Sequence, residues 1–260
     1  MDIRTGRCSV TFRQLDPAGI AALAADAGLQ VIEWGGDVHV PPGDPARAAE
    51  VARITADAGL AVCSYGSYFR AQAGEDIAPV LDSAEALGAD RIRVWAGGIG
   101  SADATAAERA EVIDALAGAA DQAGRRGISL ALEFHGRTLA DDAEQTLRVL
   151  AEVASPHLST YWQPTISAPD AVAVAEYERL ADRVSAVHVF SWWPVAERLP
   201  LTARDGLWTA FAAAASAASS PPRDALLEFV PGDDPAALAT EATALRGYLA
   251  AGASRTRLGA

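Results

Sequence analysis

A five-residue sequence, Ala-Asp-Ala-Gly-Leu, occurs twice in this chain, and a short apolar segment follows each copy. The copies occupy residues 25–29 and 56–60, and related versions occupy residues 86–90 and 127–129. Each copy predicts a helix that ends at glycine, which readily adopts the left-handed C-terminal cap, followed by a β-strand. Regular alternation of helix and strand predicts a parallel sheet with right-handed crossover connections.

The spacing of the apolar segments predicts eight strands. We expect them to centre on Val10, Ile32, Val62, Val94, Leu130, Tyr161, Val187 and Leu227. Eight βα units in about 250 residues are the usual size of a (β/α)8 barrel. We therefore predict an α/β protein with one domain, a (β/α)8 TIM barrel over residues 1–260. A doubly wound open sheet is the alternative, but no glycine-rich dinucleotide-binding fingerprint follows the first strand.

Charge and composition favour a protein that acts on small molecules. The formal net charge is −13, so nucleic acid and anionic membranes are poor partners. The chain shows neither an apolar signal core at its start nor a segment apolar enough to span a bilayer. Its two cysteines, Cys8 and Cys63, form no disulfide framework or zinc motif and are expected to be buried thiols in strands. We expect a cytoplasmic location, and a homo-oligomer is left open.

Polar residues that bind cations or move protons end four of the predicted strands. They are Glu133, Gln163, His188 and Glu228. The carboxyl ends of barrel strands meet at one face, where TIM-barrel enzymes keep their active sites, so we expect these side chains to converge. Carboxylates exchange protons with carbon next to a carbonyl, which predicts that Glu133 and Glu228 are the catalytic base and acid.

The same four residues suit a hard divalent cation, because carboxylate and amide oxygens with one imidazole are ligands for Mn²⁺ or Mg²⁺. Gln163 is neutral, so cation binding is expected to be weaker than at a site with three carboxylates. An orienting role for Gln163 without a metal is the alternative.

Aromatic and polar residues near the predicted strand ends indicate a small-ligand pocket, since sugars pack well on aromatic walls. The residues predicted to contact a substrate are His135, Arg198, Trp34, Tyr65, Trp95 and Trp192. Within this set, His135 could hydrogen-bond a hydroxyl, and Arg198 could bind an anionic or hydroxylated group. Glu33, His39 and Arg93 are further candidates.

Taken in order, these segments resemble the xylose-isomerase-like barrels, often called sugar phosphate isomerases/epimerases. The resemblance spans nearly the whole chain and is carried by residues 31–39, 132–136, 161–164, 187–190 and 227–229. It implies a Mn²⁺ or Mg²⁺ held by Glu133, position 163, His188 and Glu228. It also implies that the two glutamates act as acid and base on opposite faces of a sugar carbon.

The chain departs from the family pattern at two positions. Gln163 stands where the family has aspartate, and Ile166 stands where epimerases commonly have histidine. Both changes are expected to lower metal affinity and to disfavour simple ketose epimerisation.

The predicted function is sugar isomerisation or epimerisation by proton transfer next to a carbonyl, through an enediolate and with a divalent metal. One alternative is a lyase or dehydratase that uses the same acid/base pair on a keto-sugar or glycoside. Another is a non-catalytic sugar-binding barrel, which the neutral Gln163 favours.

Overall fold

Eight parallel strands form a closed barrel in which each strand pairs with its sequence neighbours and the last pairs with the first. The computed structural model describes residues 3–259, with side chains to residue 254. Residues 1, 2 and 260 of the predicted domain lie outside the described residues. The barrel strands are β1 (Arg4–Cys8), β2 (Val31–Gly35), β3 (Ala61–Gly66), β4 (Arg91–Val94), β5 (Ser129–Leu132), β6 (Leu158–Trp162), β7 (Val184–Val189) and β8 (Asp224–Leu227).

One long helix follows each strand. The helices are α1 (Pro17–Asp26), α2 (Pro45–Asp57), α3 (Ala78–Leu87), α4 (Ala106–Arg125), α5 (Ala143–Val153), α6 (Asp170–Leu180), α7 (Asp205–Ala217) and α8 (Leu238–Gly259). Side chains of Asp16 and Asp44 accept backbone N–H groups and so cap α1 and α2. Gly28, Gly59 and Gly88 have φ of 68°, 75° and 75°, so the repeated glycines end the helices as predicted.

The predicted TIM barrel is confirmed, but the first strand was misplaced. Val10 lies in a short 3₁₀ helix, Ser9–Phe12, and β1 is the polar segment before it. That segment includes Gly6, where an added Cβ would lie 2.4 Å from Cγ2 of Val31. Glycine therefore permits close strand packing here, and the absence of an apolar run hid the strand. The other seven predicted centres lie within strands.

Apolar side chains pack in two layers. The main layer fills the space between strands and helices. A smaller cluster inside the barrel includes both cysteines, which are buried and free, as predicted. No helix among the described residues is long and apolar enough to cross a membrane.

The barrel interior also holds a column of charged and polar side chains. Arg91 and Asp224 are 1% and 0% exposed and form an ion pair of 2.5 Å. Arg91 Nε also donates to the hydroxyl of Tyr161 at 3.0 Å, and this hydroxyl donates to Glu33 Oε2 at 2.9 Å. Buried polar groups need such partners, so the column links the amino-terminal half of the barrel to its carboxyl-terminal end.

Candidate active site

The four residues predicted to form the site converge at the carboxyl-terminal end of the barrel. Glu133, Gln163 and Glu228 directly follow β5, β6 and β8, and His188 lies near the end of β7. His188 Nδ1 is 2.9 Å from Gln163 Oε1 and 3.6 Å from Glu228 Oε2. One possible ligand atom each from Glu133, His188 and Glu228 lie within 4.8 Å of one another. All four side chains are buried.

Glu33 orients the imidazole of His188. Its Oε1 is 3.3 Å from His188 Nε2, while Ser64 and Tyr161 donate hydroxyl hydrogens to its Oε2 at 2.8 and 2.9 Å. Because the carboxylate accepts, it favours a proton on Nε2 and leaves Nδ1 to face Gln163 and Glu228. Burial raises the pKa of Glu33, but His188, Arg93 and Ser64 outweigh burial and hold it well below the usual range.

The residues present fit a hard divalent cation. Mg²⁺ binds oxygen at about 2.1 Å, which places adjacent ligands about 3 Å apart, close to the separations around His188 Nδ1. When Nε2 carries the only imidazole proton, Nδ1 and Gln163 Oε1 are both acceptors. Their 2.9 Å contact is then satisfied by a second imidazole proton, by a turn of the amide that places its NH2 group at Nδ1, or by a cation. The donors are oxygen and imidazole nitrogen, the set that suits Mn²⁺ or Mg²⁺.

Two donors hold the carboxylate of Glu133. Arg93 Nη1 donates to Glu133 Oε2, and Trp95 Nε1 donates to the same oxygen at 2.5 Å. Arg93 Nε also lies 3.5 Å from Glu33 Oε1. Among the described residues, no group hydrogen-bonds Glu133 Oε1, so this is the oxygen available to a proton or a cation.

The two candidate catalytic glutamates have opposite electrostatic environments. Burial raises the pKa of Glu133, but the charges of Arg93 and His188 outweigh burial, and the net shift is downward. Burial also raises the pKa of Glu228; His188 opposes this, but repulsion from Glu133 adds to it, and the net shift is upward. Burial lowers the pKa of His188, yet the surrounding carboxylates raise it overall. Glu228 therefore holds its proton to a higher pH than Glu133 does.

Two of the predicted substrate contacts lie on one side of the barrel mouth. Trp95 stacks on His135 with ring centroids 4.8 Å apart, and the guanidinium of Arg70 lies 3.8 Å from the Trp95 ring. Trp95 and His135 are both half-buried. Because Trp95 also donates to Glu133, it connects the mouth to the site.

Two more predicted contacts come from a short antiparallel hairpin after β7, which pairs Ser191–Trp192 with Arg198–Leu199. The guanidinium of Arg198 lies 5.2 Å from the Trp192 ring and 4.3 Å from the Phe229 ring, and it forms an ion pair with Asp233. Both predicted residues are half-buried and close to the segment that follows Glu228.

The prediction that Trp34 and Tyr65 contact a substrate is corrected. Both are 0% exposed in the layer between strands and helices. Trp34 Nε1 donates to Thr55 Oγ1 at 3.0 Å, and the Tyr65 hydroxyl donates to the carbonyl of Val40 at 2.7 Å. Neighbouring side chains on a strand point to opposite faces, so Trp34 faces the helices because Glu33 faces the barrel interior.

His39, a further candidate, also packs outside the site. Its ring lies 5.9 Å from Trp34, and its Nδ1 is 3.0 Å from Ser9 Oγ.

The family model described as "Xylose isomerase-like TIM barrel" matches residues 21–214. The match covers most of the chain, so the protein belongs to the xylose isomerase-like TIM barrel family. Searches of curated protein sequences find no significant match.

Several solved structures share the fold. An L-ribulose 3-epimerase is 20% identical with a TM-score of 0.78, covering 99% of this chain and 98% of its own. A probable 3-DHS dehydratase from Bacillus anthracis is 19% identical with a TM-score of 0.76, covering 95% and 99%. A xylose isomerase-like barrel from Mycobacterium smegmatis in complex with magnesium is 14% identical with a TM-score of 0.73, covering 96% and 98%.

Proposed function

We propose that this protein is an enzyme that isomerises or epimerises a sugar or sugar derivative by moving a proton next to a carbonyl. The carrying observation is the pair Glu133 and Glu228, two buried carboxylates on either side of His188 whose pKa values are displaced in opposite directions. Membership of the xylose isomerase-like family, and a fold shared with an L-ribulose 3-epimerase, support this reaction class.

Glu133 acts as the base in this mechanism. Its free oxygen, Oε1, takes the proton from the carbon next to the carbonyl, and the electron pair moves onto the carbonyl oxygen to give an enediolate. Glu228, in its acid form, returns a proton to the opposite face of that carbon. In an isomerisation the proton of the neighbouring hydroxyl first moves to the former carbonyl oxygen, and Glu228 then protonates the former carbonyl carbon. Glu133 ends protonated and Glu228 ionised, so proton exchange with water or the reverse reaction restores both.

We propose that Glu133, Gln163, His188 and Glu228 hold Mn²⁺ or Mg²⁺. When bound, such an ion supplies positive charge to the substrate oxygens. The neutral Gln163 contributes no charge, so the expected affinity is lower than with aspartate at this position.

Four rim residues are proposed to contact the sugar: His135, Arg198, Trp95 and Trp192. Aromatic faces with a few polar groups suit a sugar ring. We further propose a cytoplasmic enzyme with a small-molecule substrate and neither nucleic acid nor membrane as a partner; a homo-oligomer is compatible with this function.

The second candidate function is a lyase or dehydratase that uses the same base. An enolate formed by Glu133 can expel a group from the next carbon, with Glu228 protonating the leaving oxygen. Beside the mouth, Trp192 lies 5.4 Å from Phe190 and 4.9 Å from Phe229, which gives an aromatic surface for an apolar leaving group. The fold shared with a probable 3-DHS dehydratase also favours it.

A deuterium-exchange screen tests these functions. Protein with Mn²⁺ in D₂O is incubated with L-ribulose, other ketoses and keto-glycosides, and ¹H NMR follows the hydrogens next to each carbonyl. An isomerase or epimerase exchanges one of them and forms a second sugar of the same composition, whereas a lyase releases a leaving group. Binding without exchange would identify a non-catalytic sugar-binding barrel and contradict both. The double variant Glu133→Gln/Glu228→Gln is the inactive control, and Trp34→Phe, outside the site, is the active one.

A further inference from the structure

A buried arginine occupies the centre of the carboxylate cluster. Arg93, on β4, is 4% exposed; its Nη1 donates to Glu133 and its Nε lies 3.5 Å from Glu33. The charge of Glu228 also acts on it. Rim arginines such as Arg198 instead remain about one third exposed in their ion pairs. Burying a guanidinium is costly without partners, so Arg93 is part of the site's charge balance.

Arg93 and Gln163 act in the same direction on that balance. When all three are ionised, Glu33, Glu133 and Glu228 carry three negative charges, and Arg93 cancels one of them. Gln163 adds no negative charge, whereas aspartate at this position would add one. Both residues therefore weaken the attraction of the site for a divalent cation.

The guanidinium of Arg93 has donor capacity left over. Among the described residues, its Nε is buried without a hydrogen bond, and the one side-chain hydrogen bond that Arg93 makes is from Nη1 to Glu133. The ring of Tyr68, which is partly exposed at the mouth, lies 5.7 Å from the guanidinium carbon. Unused N–H groups beside the base Glu133 are suited to an oxygen of the molecule that Glu133 deprotonates.

We propose that Arg93 is a further catalytic residue, the resident cation of this site, which competes with a divalent metal for Glu133 and donates to the substrate oxygen that becomes negative. The proposal rests on the proposed function for its catalytic part only. As Glu133 removes the proton from carbon, the electron pair moves to the carbonyl oxygen. An N–H of Arg93 then stabilises the enediolate oxygen, and Glu228 returns a proton to carbon. Arg93 itself stays protonated throughout.

A titration with Mn²⁺ alone tests the competition without any substrate. Isothermal calorimetry compares wild type with two variants. Arg93→Gln removes the charge, whereas Arg93→Lys keeps the charge but loses the planar guanidinium with its paired N–H donors. Arg126→Gln is the matched control, because Arg126 is ion-paired with Asp82 and Glu85 on the surface. We expect Arg93→Gln to bind Mn²⁺ about tenfold more tightly or better, and Arg93→Lys and Arg126→Gln to bind like wild type.

Exchange at saturating Mn²⁺ tests the catalytic part on any sugar that wild type turns over. Removing one preorganised donor to an oxyanion lowers the rate about 100-fold or more. The exchange rates of Arg93→Gln and Arg93→Lys should therefore both fall by that factor, while the rate of Arg126→Gln should not.

Circular dichroism checks that each variant is folded. If Arg93→Gln does not fold, the exchange rate of Arg93→Lys decides. Equal or weaker Mn²⁺ affinity in folded Arg93→Gln, including no binding by either protein, overturns the proposal, as does wild-type exchange in folded Arg93→Lys. If wild type exchanges no sugar but Arg93→Gln binds Mn²⁺ more tightly, the proposed function fails and the competition stands.

Discussion

His188 Nδ1 lies 2.9 Å from Gln163 Oε1, at the point where the carboxyl ends of β6 and β7 meet. Glu33 accepts at the opposite ring nitrogen of His188, so Nδ1 is turned toward the oxygens of the site. A hydrogen bond between the imidazole and the amide satisfies this contact, and so does a cation bound by both groups. If a cation is bound there, position 163 is a determinant of metal affinity.

Replacing Gln163 with aspartate should tighten Mn²⁺ binding. The substitution adds a negative charge at coordination distance, and desolvation offsets much of the gain, so we expect an improvement of about tenfold, or roughly 1.4 kcal/mol. Isothermal calorimetry measures it, with Gln122→Asp on α4 as the same change outside the site. Equal affinities in wild type and Gln163→Asp would show that position 163 does not face a cation. Gln163 would then act by hydrogen-bonding the substrate.

Glu33→Gln should weaken Mn²⁺ binding although Glu33 is not among the proposed ligands. The amide no longer fixes the proton on His188 Nε2, and loss of such an outer partner typically costs about 10–100-fold in metal affinity. Ser64→Ala removes only one donor to Glu33 and should have a smaller effect. Unchanged affinity in Glu33→Gln would mean that His188 is oriented without Glu33.

The two glutamates proposed as base and acid, Glu133 and Glu228, should titrate on opposite sides of the usual value, about 4.3. Since the pKa of Glu133 is lowered, the base is lost only as pH falls below that value; since the pKa of Glu228 is raised, the acid is lost as pH rises above it. In carbon-13 NMR of labelled, metal-free protein, the signal that Glu133→Gln removes should titrate below the usual value, and the signal that Glu228→Gln removes should titrate above it. The reverse assignment would exchange the roles of acid and base.

Trp34→Phe and Trp95→Phe should have different consequences. Trp34→Phe loses a buried hydrogen bond to Thr55, which should destabilise the fold by about 1–3 kcal/mol and leave KM unchanged. Trp95→Phe loses the donor to Glu133 and should lower kcat with little effect on Tm. Thermal unfolding and steady-state kinetics separate the two, and a raised KM in Trp34→Phe would restore its predicted role in substrate binding.

The barrel was predictable because its signals are local. Glycines such as Gly28 and Gly59 end helices by their own backbone conformation, and an apolar segment follows each of them. The first strand was misplaced because Gly6 and its polar neighbours owe their strand to pairing with β2 and β8, which no local pattern shows.

The site was only partly predictable. The order along successive strands was enough to bring together Glu133, Gln163, His188 and Glu228. Arg93 and Glu33 remained minor candidates because their importance depends on contacts across the barrel. The alternation of inward and outward residues along β2 could have separated Glu33 from Trp34, once the register of the strand was known.

Glu133 and Glu228 are proposed to act on opposite faces of one carbon. Hydrogen exchange by each glutamate variant, starting from each of two epimers, tests this directly. With L-ribulose and its C3 epimer, or whichever pair wild type interconverts, ¹H NMR in D₂O should show exchange from both sugars in wild type. Glu133→Gln should exchange only one sugar and Glu228→Gln only the other, and neither variant should interconvert them. The opposite result is that one variant loses exchange from both sugars while the other variant keeps exchange from both. It would contradict the proposal, because a single residue would then carry both proton transfers.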